Sequence, residues 1–182
     1  VNAEYAYKIN DPSTDNGLIY KPGQAFYLTS NYSKKGFGVQ FETKILDNMS
    51  FRSDRYEGQN NLMINYLPAT TRQHTYNLAA TLYPYGTRPQ GEMGIQFSVF
   101  KKFEKDTKLG GKYGTQVDVN YSNVRSLDET PTNDVTFEPN ALRYGYTTNF
   151  GVGSQKYFRD FNIEVKKKFS SNVKAIFSYV SL

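Results

Sequence analysis

Residues 37–45 alternate apolar and polar side chains, and this pattern constrains the fold more than any other feature of the chain. Phe37 and Val39 fall on one face of an extended strand, whereas Gln40 and Glu42 fall on the other. Strands of about nine to eleven residues cross a bilayer when tilted, whereas soluble strands more often have about five or six. Comparable segments occur at residues 1–9, 24–32, 76–82, 92–99, 117–121, 142–152, 161–165 and 173–179. About eight or nine strands of this kind are therefore predicted.

Composition favours an all-β fold. The chain has 182 residues, of which 16% are aromatic, and the 16 Tyr and 13 Phe suit pleated sheets. Its mean hydropathy is low at −0.65. A run of eighteen apolar residues is absent from the sequence, which excludes a spanning helix but not a spanning barrel, because barrel strands are only half apolar. No break in composition divides the sequence, so residues 1–182 are predicted to form a single domain.

The same composition excludes several functions. The sequence contains no Cys, so a disulfide framework, a thiolate metal site and a thiol nucleophile are impossible. The net charge of +5 is modest and its lysines lie mostly at strand ends, so no nucleic-acid partner is expected. Because the sequence begins at Val1 without a signal peptide, we expect a mature or excised piece.

Loop lengths bear on how the strands are connected. Residues 33–36 and 170–172 are short turns, whereas residues 47–61 and 125–140 are predicted to be long polar loops. Outer-membrane barrels place short turns on one side and long loops on the other. That arrangement requires an extra crossing, predicted within residues 62–67. It would also place residues 142–152 outside the wall, in a loop extending from 125 to about 156.

A soluble β-sandwich produces the same alternation, because one face of each of its sheets packs inward. Three features favour a barrel in lipid: the uniform strand length, small or amide residues opposite the apolar face, and aromatic residues at the strand ends. These strand-end aromatics are Tyr83, Tyr85, Phe100, Phe103, Tyr113, Tyr157, Phe158 and Phe169.

The predicted fold is therefore an antiparallel, up-and-down transmembrane β-barrel, or a sector of a larger one. Each face then has a predicted environment. The predicted lumen-facing residues are Gln40, Glu42, Gln96, Asp118, Asn120 and Glu164. The predicted lipid-facing residues are Phe37, Val39, Phe41, Ile95, Phe97, Val99, Val117, Val119, Ile163 and Val165. Because the lumen set is bulky and mixed in charge, a filled or narrow lumen is expected rather than a wide pore.

Candidate chemistry is sparse. His74 is the single histidine, and with a serine or aspartate partner it could act as a general base, although an interfacial polar role explains it better. The carboxylates of residues 128–138 lack the spacing of a calcium loop, and residues 110–112 lack the hydroxyl residue of a phosphate loop. We therefore predict no catalytic residue, no metal site and no cofactor.

Lysines near the strand ends have two explanations that the sequence leaves open. They could bind the phosphates of membrane lipid or lipopolysaccharide, or they could keep sheet edges from aggregating. They are Lys34, Lys35, Lys101, Lys102, Lys105, Lys108, Lys112 and Lys166–Lys168.

Several segments resemble a family of uncharacterised outer-membrane β-barrel proteins from Bacteroidota, which are Gram-negative. They are residues 48–55 (NMSFRSDR), 64–69 (INYLPA), 73–76 (QHTY), 82–85 (LYPY), 91–92 (GE) and 109–114 (LGGKYG). The resemblance covers about residues 17–125. It implies that this chain is part of a longer protein, and it carries over no catalytic residues.

The function expected from these features is that of a non-enzymatic, porin-like outer-membrane protein. It would serve as a channel or as a structural subunit of an outer-membrane complex, with lipid, lipopolysaccharide and possible other outer-membrane proteins as partners. Two alternatives stay open at this point. One is a soluble extracellular β-sandwich that binds glycans through exposed aromatics, and the other is a barrel hydrolase that uses His74.

Overall fold

The computed structural model describes residues 1–9, 11–58, 61–64, 69–72, 74, 85–132 and 145–182. Within these residues the fold is all-β, with one short 3-10 turn at Thr14–Asn16. The seven strands are β1 (Asn2–Lys8), β2 (Gly23–Lys34), β3 (Phe37–Asp47), β4 (Gly91–Phe103), β5 (Thr115–Thr132), β6 (Gly145–Lys168) and β7 (Lys174–Ser181). Among the described residues, no helix is long and apolar enough to cross a membrane.

All seven strands belong to one antiparallel sheet, in which each strand pairs with its neighbours in sequence. The predicted all-β, up-and-down fold is therefore confirmed. Within the described residues β1 and β7 lie at opposite edges, so the sheet is not closed and is consistent with a sector of a barrel. A second sheet packed on the first, which a sandwich requires, is not found in this part of the chain.

The pattern at residues 37–45 is confirmed as β3, which pairs with β2 along its whole length from Phe37↔Lys34 to Asp47↔Gln24. Lys35 and Gly36 form the turn of this hairpin. Gly36 has a φ of +71°, in the left-handed region that favours glycine.

Two predictions for the second half of the chain are wrong. Residues 125–132 are not a loop but the end of β5, and residues 145–152 do not lie in a separate segment but begin β6. The two strands pair with each other beyond the rest of the sheet, as in Leu127↔Val152 and Thr130↔Thr147. Pro131 is tolerated there because the pairing of β5 with β4 extends only to Met93↔Arg125, so one side of β5 needs no ladder donor beyond that point.

The shorter connections lie at one end of the sheet and the longer connections lie at the other, and this arrangement needs no extra crossing. Residues 35–36, 104–114 and 169–173 link strands at one end, called here the short end. Residues 9–22, 48–90 and 133–144 link them at the other, the long end. Because Asp47 pairs directly with Gly91, residues 48–90 leave and return at the same end.

The extra crossing predicted at residues 62–67 is therefore not needed. In that segment Met63 forms only an isolated bridge with Arg52, and residues 65–67 lie outside the described residues. The predicted strand at residues 76–82 also lies outside them.

Replacing Gly36 by alanine tests the hairpin turn. The new Cβ would lie 3.2 Å from the Lys102 carbonyl oxygen and force a left-handed residue, so we expect unfolding free energy to fall by about 1 kcal/mol. Urea unfolding followed by circular dichroism measures it. Gly58→Ala is the control, because no atom lies within 4 Å of its Cβ position. Equal stability of the two variants would contradict the turn geometry.

Candidate functional site

The sheet has two chemically different faces, and cross-strand pairing defines them. Val39, Val99, Val119 and Ile163 pair in one continuous row across β3, β4, β5 and β6. Residues of one such row share a face in an antiparallel sheet. This face, called here the open face, carries every residue of the predicted lipid-facing set: Phe37, Val39, Phe41, Ile95, Phe97, Val99, Val117, Val119, Ile163 and Val165.

The opposite face, called here the covered face, carries the predicted lumen-facing set. Gln40 and Asn120 pair with Ser98, Glu42 pairs with Gln96, and Asp118 pairs with Glu164. The structure thus brings these six polar side chains to one surface, in adjacent rows. Whether this surface lines a lumen remains a prediction.

Burial is inverted relative to a water-soluble sheet. On the covered face Glu92 and Asp160 are 0% exposed and Asn120 is 1% exposed, whereas Phe97 on the open face is 45% exposed. Among the described residues, sixteen buried side chains are polar or charged and seven are apolar or aromatic, Pro12 included. A soluble protein buries its apolar face instead, because burial of apolar surface drives folding in water.

The covered face is overlaid by part of the long β3–β4 connection. We call residues 69–72, 74 and 85–90 the covering segment. Thr70 lies over Gly94, where an added Cβ would be 3.1 Å from the Thr70 side chain. Small residues on the sheet therefore make room for the covering segment.

Glu92 holds the second half of the covering segment. Its carboxylate lies 2.9 Å from Lys44 Nζ and accepts hydrogen bonds from the Tyr85 hydroxyl and, at 2.9 Å, from the Arg88 backbone N–H. Lys44 Nζ also donates to Thr87 Oγ1 at 2.9 Å. Burial and the negative charge of Glu92 raise the pKa of the Tyr85 phenol, so it stays protonated and donates.

Asp160 and Asn162 on β6 hold the first half of the covering segment. His74 Nε2 lies 2.9 Å from Asp160 Oδ2, and Asn162 Nδ2 donates to both oxygens of the same carboxylate at 3.1 Å. Arg72 donates to Asn162 Oδ1 at 3.0 Å. Because Asp160 is fully buried, these donors replace the water that the carboxylate loses on burial.

A chain of charges continues toward the short end. Glu164 lies 2.6 Å from Lys166 Nζ and 3.9 Å from Arg72, and Lys166 lies 3.5 Å from Asp118. Gln116 Nε2 adds donors to Asp118 at 3.0 Å. Each carboxylate in this row of charges, Glu164 and Asp118, therefore faces a cation.

Asn120 joins the neutral part of the covered face. Its Oδ1 accepts from Gln96 Nε2 at 2.8 Å and from Ser98 Oγ at 2.7 Å, while its Nδ2 donates to Ser122 Oγ at 3.3 Å. Gln40 donates in the same way to Glu42. The face is thus cross-linked by its own side chains.

A second polar cluster closes the long end. Asp47 is paired with Lys21 and accepts from the Tyr146 hydroxyl at 2.8 Å. Asn16 Nδ2 donates to Asn48 Oδ1 at 2.9 Å and contacts the Tyr146 hydroxyl at 3.2 Å. Tyr146 lies at the start of β6, so the projecting β5–β6 hairpin folds back onto β3 and onto the β1–β2 connection.

His74 has an acidic partner, but no nucleophile contacts it among the described residues. Ser122 pairs across the strands with Asp160, but it is fully buried and accepts from Asn120. Within the described residues, no hydroxyl is hydrogen-bonded to His74, and no group of three metal-ligating side chains exists. Of the predicted acidic loop, Asp128 and Glu129 lie on β5, and residues 133–138 fall outside the described range.

Three of the predicted strand-end aromatics do not face outward. Phe100 and Phe158 lie on the covered face because they pair with Gly38 and Val124 there. Tyr85 belongs to the covering segment and stacks on Phe158 at 5.3 Å. Phe103 and Phe169 do lie at the short end, and Tyr83 is outside the described residues.

The residues that hold the covering segment were not among the predicted site residues. Lys44 and Glu92 share the phase of the predicted lumen set, so extending that alternation by one position beyond Glu42 and by two before Gln96 would have found them. Arg72, Tyr85 and Thr87 lie where no periodicity exists, and no sequence signal identifies them.

Glu92→Gln tests the buried ion pair. Loss of the carboxylate leaves Lys44 charged and buried, so we expect unfolding free energy to drop by about 3 kcal/mol in urea titrations. Adding Lys44→Met should recover part of it. The control is Glu104→Gln, which breaks an exposed pair with Lys35 and should change stability little. Equal effects of the two glutamine variants would contradict the role assigned to Glu92.

Comparison with known proteins bears on the family of this chain. The model of a family of unknown function (DUF6029) matches residues 1–182. No curated protein matches the chain, and no solved structure matches it. Because the match spans the whole sequence, the chain belongs to the DUF6029 family.

Proposed function

We propose that the protein is a non-enzymatic outer-membrane β-barrel protein and that β1–β7 form a sector of its wall. One observation carries this proposal: Glu92, Asp160 and Asn120 are buried on one face of the sheet, whereas the apolar side chains of the other face are half-buried or exposed. Lipid is the solvent in which that arrangement is stable, because an apolar outer band matches the hydrocarbon and polar residues face inward.

Strand length supports the proposal. The strands β2, β3 and β4 have 12, 11 and 13 residues, long enough to cross a bilayer core when tilted. The apolar row through Val39 continues to Tyr32 on β2 and Tyr179 on β7. The open face is thus apolar over six neighbouring strands.

Aromatic and lysine side chains at the short end suit a membrane interface. Lys101 lies 5.6 Å from the Phe37 ring centroid, Lys167 lies 6.0 Å from Phe169, and Lys168 lies 5.5 Å from Tyr113. Rings at headgroup depth with ammonium groups reaching outward are typical of membrane rims. Membrane lipid and lipopolysaccharide are the partners we propose for this rim.

The covering segment favours a closed interior over a wide pore. It lies on the covered face through Arg72, His74, Tyr85 and Thr87, whose contacts reach β3, β4 and β6. The protein then acts as a channel that is blocked at rest, or as a structural subunit of an outer-membrane complex. The resemblance to Bacteroidota barrel proteins supports this localisation.

The barrel hydrolase stays a second candidate because His74 meets Asp160 at 2.9 Å, the pairing that orients a general base. The arrangement favours a structural role. Asn162 and Arg72 tie this pair into the contact between the covering segment and the sheet, and the adjacent Ser122 is inaccessible to substrate.

Neighbouring residues on β3 test the membrane assignment. Val39→Arg places a charge on the open face and should lower unfolding free energy in lipid vesicles by about 2–4 kcal/mol. Gln40→Arg, one residue along on the covered face, is the control and should cost much less, because Gln40 is exposed to water. A wild-type chain that stays folded and monomeric in buffer without detergent would contradict the proposal.

Conductance in planar bilayers tests the blocked interior. The wild-type protein should conduct rarely, and the double variant Arg72→Ala, His74→Ala should open more often, because the contacts of both residues with β6 are lost. Lys35→Ala, at the exposed β2–β3 turn, is the control. A large wild-type conductance that the double variant leaves unchanged would contradict a blocking role, and silence of both proteins would favour the structural subunit.

A further inference from the structure

The covered face carries an open cavity of about 410 Å³ near the short end, next to the covering segment. Its floor is formed by β2, β3, β4 and β5, and Arg72 stands at its border. This volume falls within the range of small-molecule sites, which span about 300–1,000 Å³.

Five neutral polar side chains line the cavity, beside apolar residues that include Phe100. Asn31 and Ser33 enter it from β2, Gln40 from β3, and Gln96 and Ser98 from β4. Asn31 and Ser33 make no side-chain hydrogen bond to any other described residue, so their donors and acceptors are available. Gln96 and Gln40 each use an N–H within the sheet, which leaves the amide oxygen to accept another bond.

The charges at the cavity are already balanced inside the protein. Asp118 faces Lys166 at 3.5 Å and accepts from Gln116, while Arg72 donates to Asn162 and faces Glu164. A charged ligand would have to compete with these internal pairs. The cavity is therefore suited to a neutral ligand.

Phe100 adds an aromatic surface to the cavity. Its ring packs against Gly38, where an added Cβ would lie 2.2 Å from Phe100 Cε1, and the side chain is 41% exposed. Amides and hydroxyls beside an exposed ring can bind the hydroxyl groups of a sugar and stack on its apolar face.

We propose that this cavity binds a neutral, hydroxylated ligand of the mono- or disaccharide class. Asn31, Ser33 and Gln40 bind its hydroxyl groups, and Phe100 stacks on its ring. The inference goes beyond the proposed function and does not require it, because the cavity lies on the covered face whatever solvent meets the open face.

Saturation-transfer NMR with glucose, galactose, mannose, maltose and cellobiose tests the proposal. The full chain is used in lauryldimethylamine oxide, since a glycoside detergent would compete for the site. At least one of these sugars should bind, and Phe100→Ala should weaken it at least tenfold. Phe97→Ala is the matched control, on the same strand but on the open face and with similar exposure, and it should leave binding unchanged.

Asn31→Leu keeps the test decisive if Phe100→Ala fails to fold, because Asn31 is exposed and should tolerate replacement. It too should weaken binding at least tenfold. The proposal is overturned if none of the five sugars binds, if only glucose 6-phosphate or glucosamine binds, or if the cavity variants bind as the wild type does. A protein that inserts into vesicles but binds no sugar would contradict this inference without contradicting the membrane assignment.

Discussion

The fold depends on partners for the polar side chains that the sheet buries on one face. Glu92 and Asp160 are fully enclosed, and an isolated carboxylate in such a place would be far too costly to keep ionised. Lys44 and His74 supply their partners, at 2.9 Å in each case. Since His74 belongs to the covering segment, the polar groups of the sheet and of the covering segment pair with each other, and the two parts stabilise each other.

This constraint leaves the apolar residues on the outside. Polar groups fill the space between the sheet and the covering segment, and the Val, Ile and Phe rows of the open face stay half-buried or exposed in the described residues. The edge strands β1 and β7 continue the apolar open face, because Tyr5 pairs with Phe26 and Tyr179 pairs with Ile163. The proposed lipid contact of the open face accounts for both facts, and the proposed blocked interior rests on the covering segment.

Sequence periodicity predicted the sheet and its two faces, because alternation reports local geometry directly. Residues 37–45 and 92–99 became β3 and β4, and the residues of each predicted set share one face of the sheet, while the lumen and lipid environments stay predictions. The full length of β5 and β6 was not predicted, because Pro131 and Gly145 disfavour strands that have no partner strand. Here β5 and β6 are each other's partner strand as far as Thr132↔Gly145. Arg72 and Tyr85 were unpredictable because their contacts join distant, aperiodic residues to the sheet.

The absence of cysteine makes site-directed spin labelling the most direct test of the account. A label at Phe97→Cys and another at Gln40→Cys would be examined in lipid vesicles for collision with oxygen, which partitions into lipid, and with a water-soluble nickel chelate. We expect the label at position 97 to collide with oxygen and to be shielded from nickel, and the label at position 40 to do the reverse. Nickel access at position 97 equal to that at position 40 would contradict an apolar face in lipid.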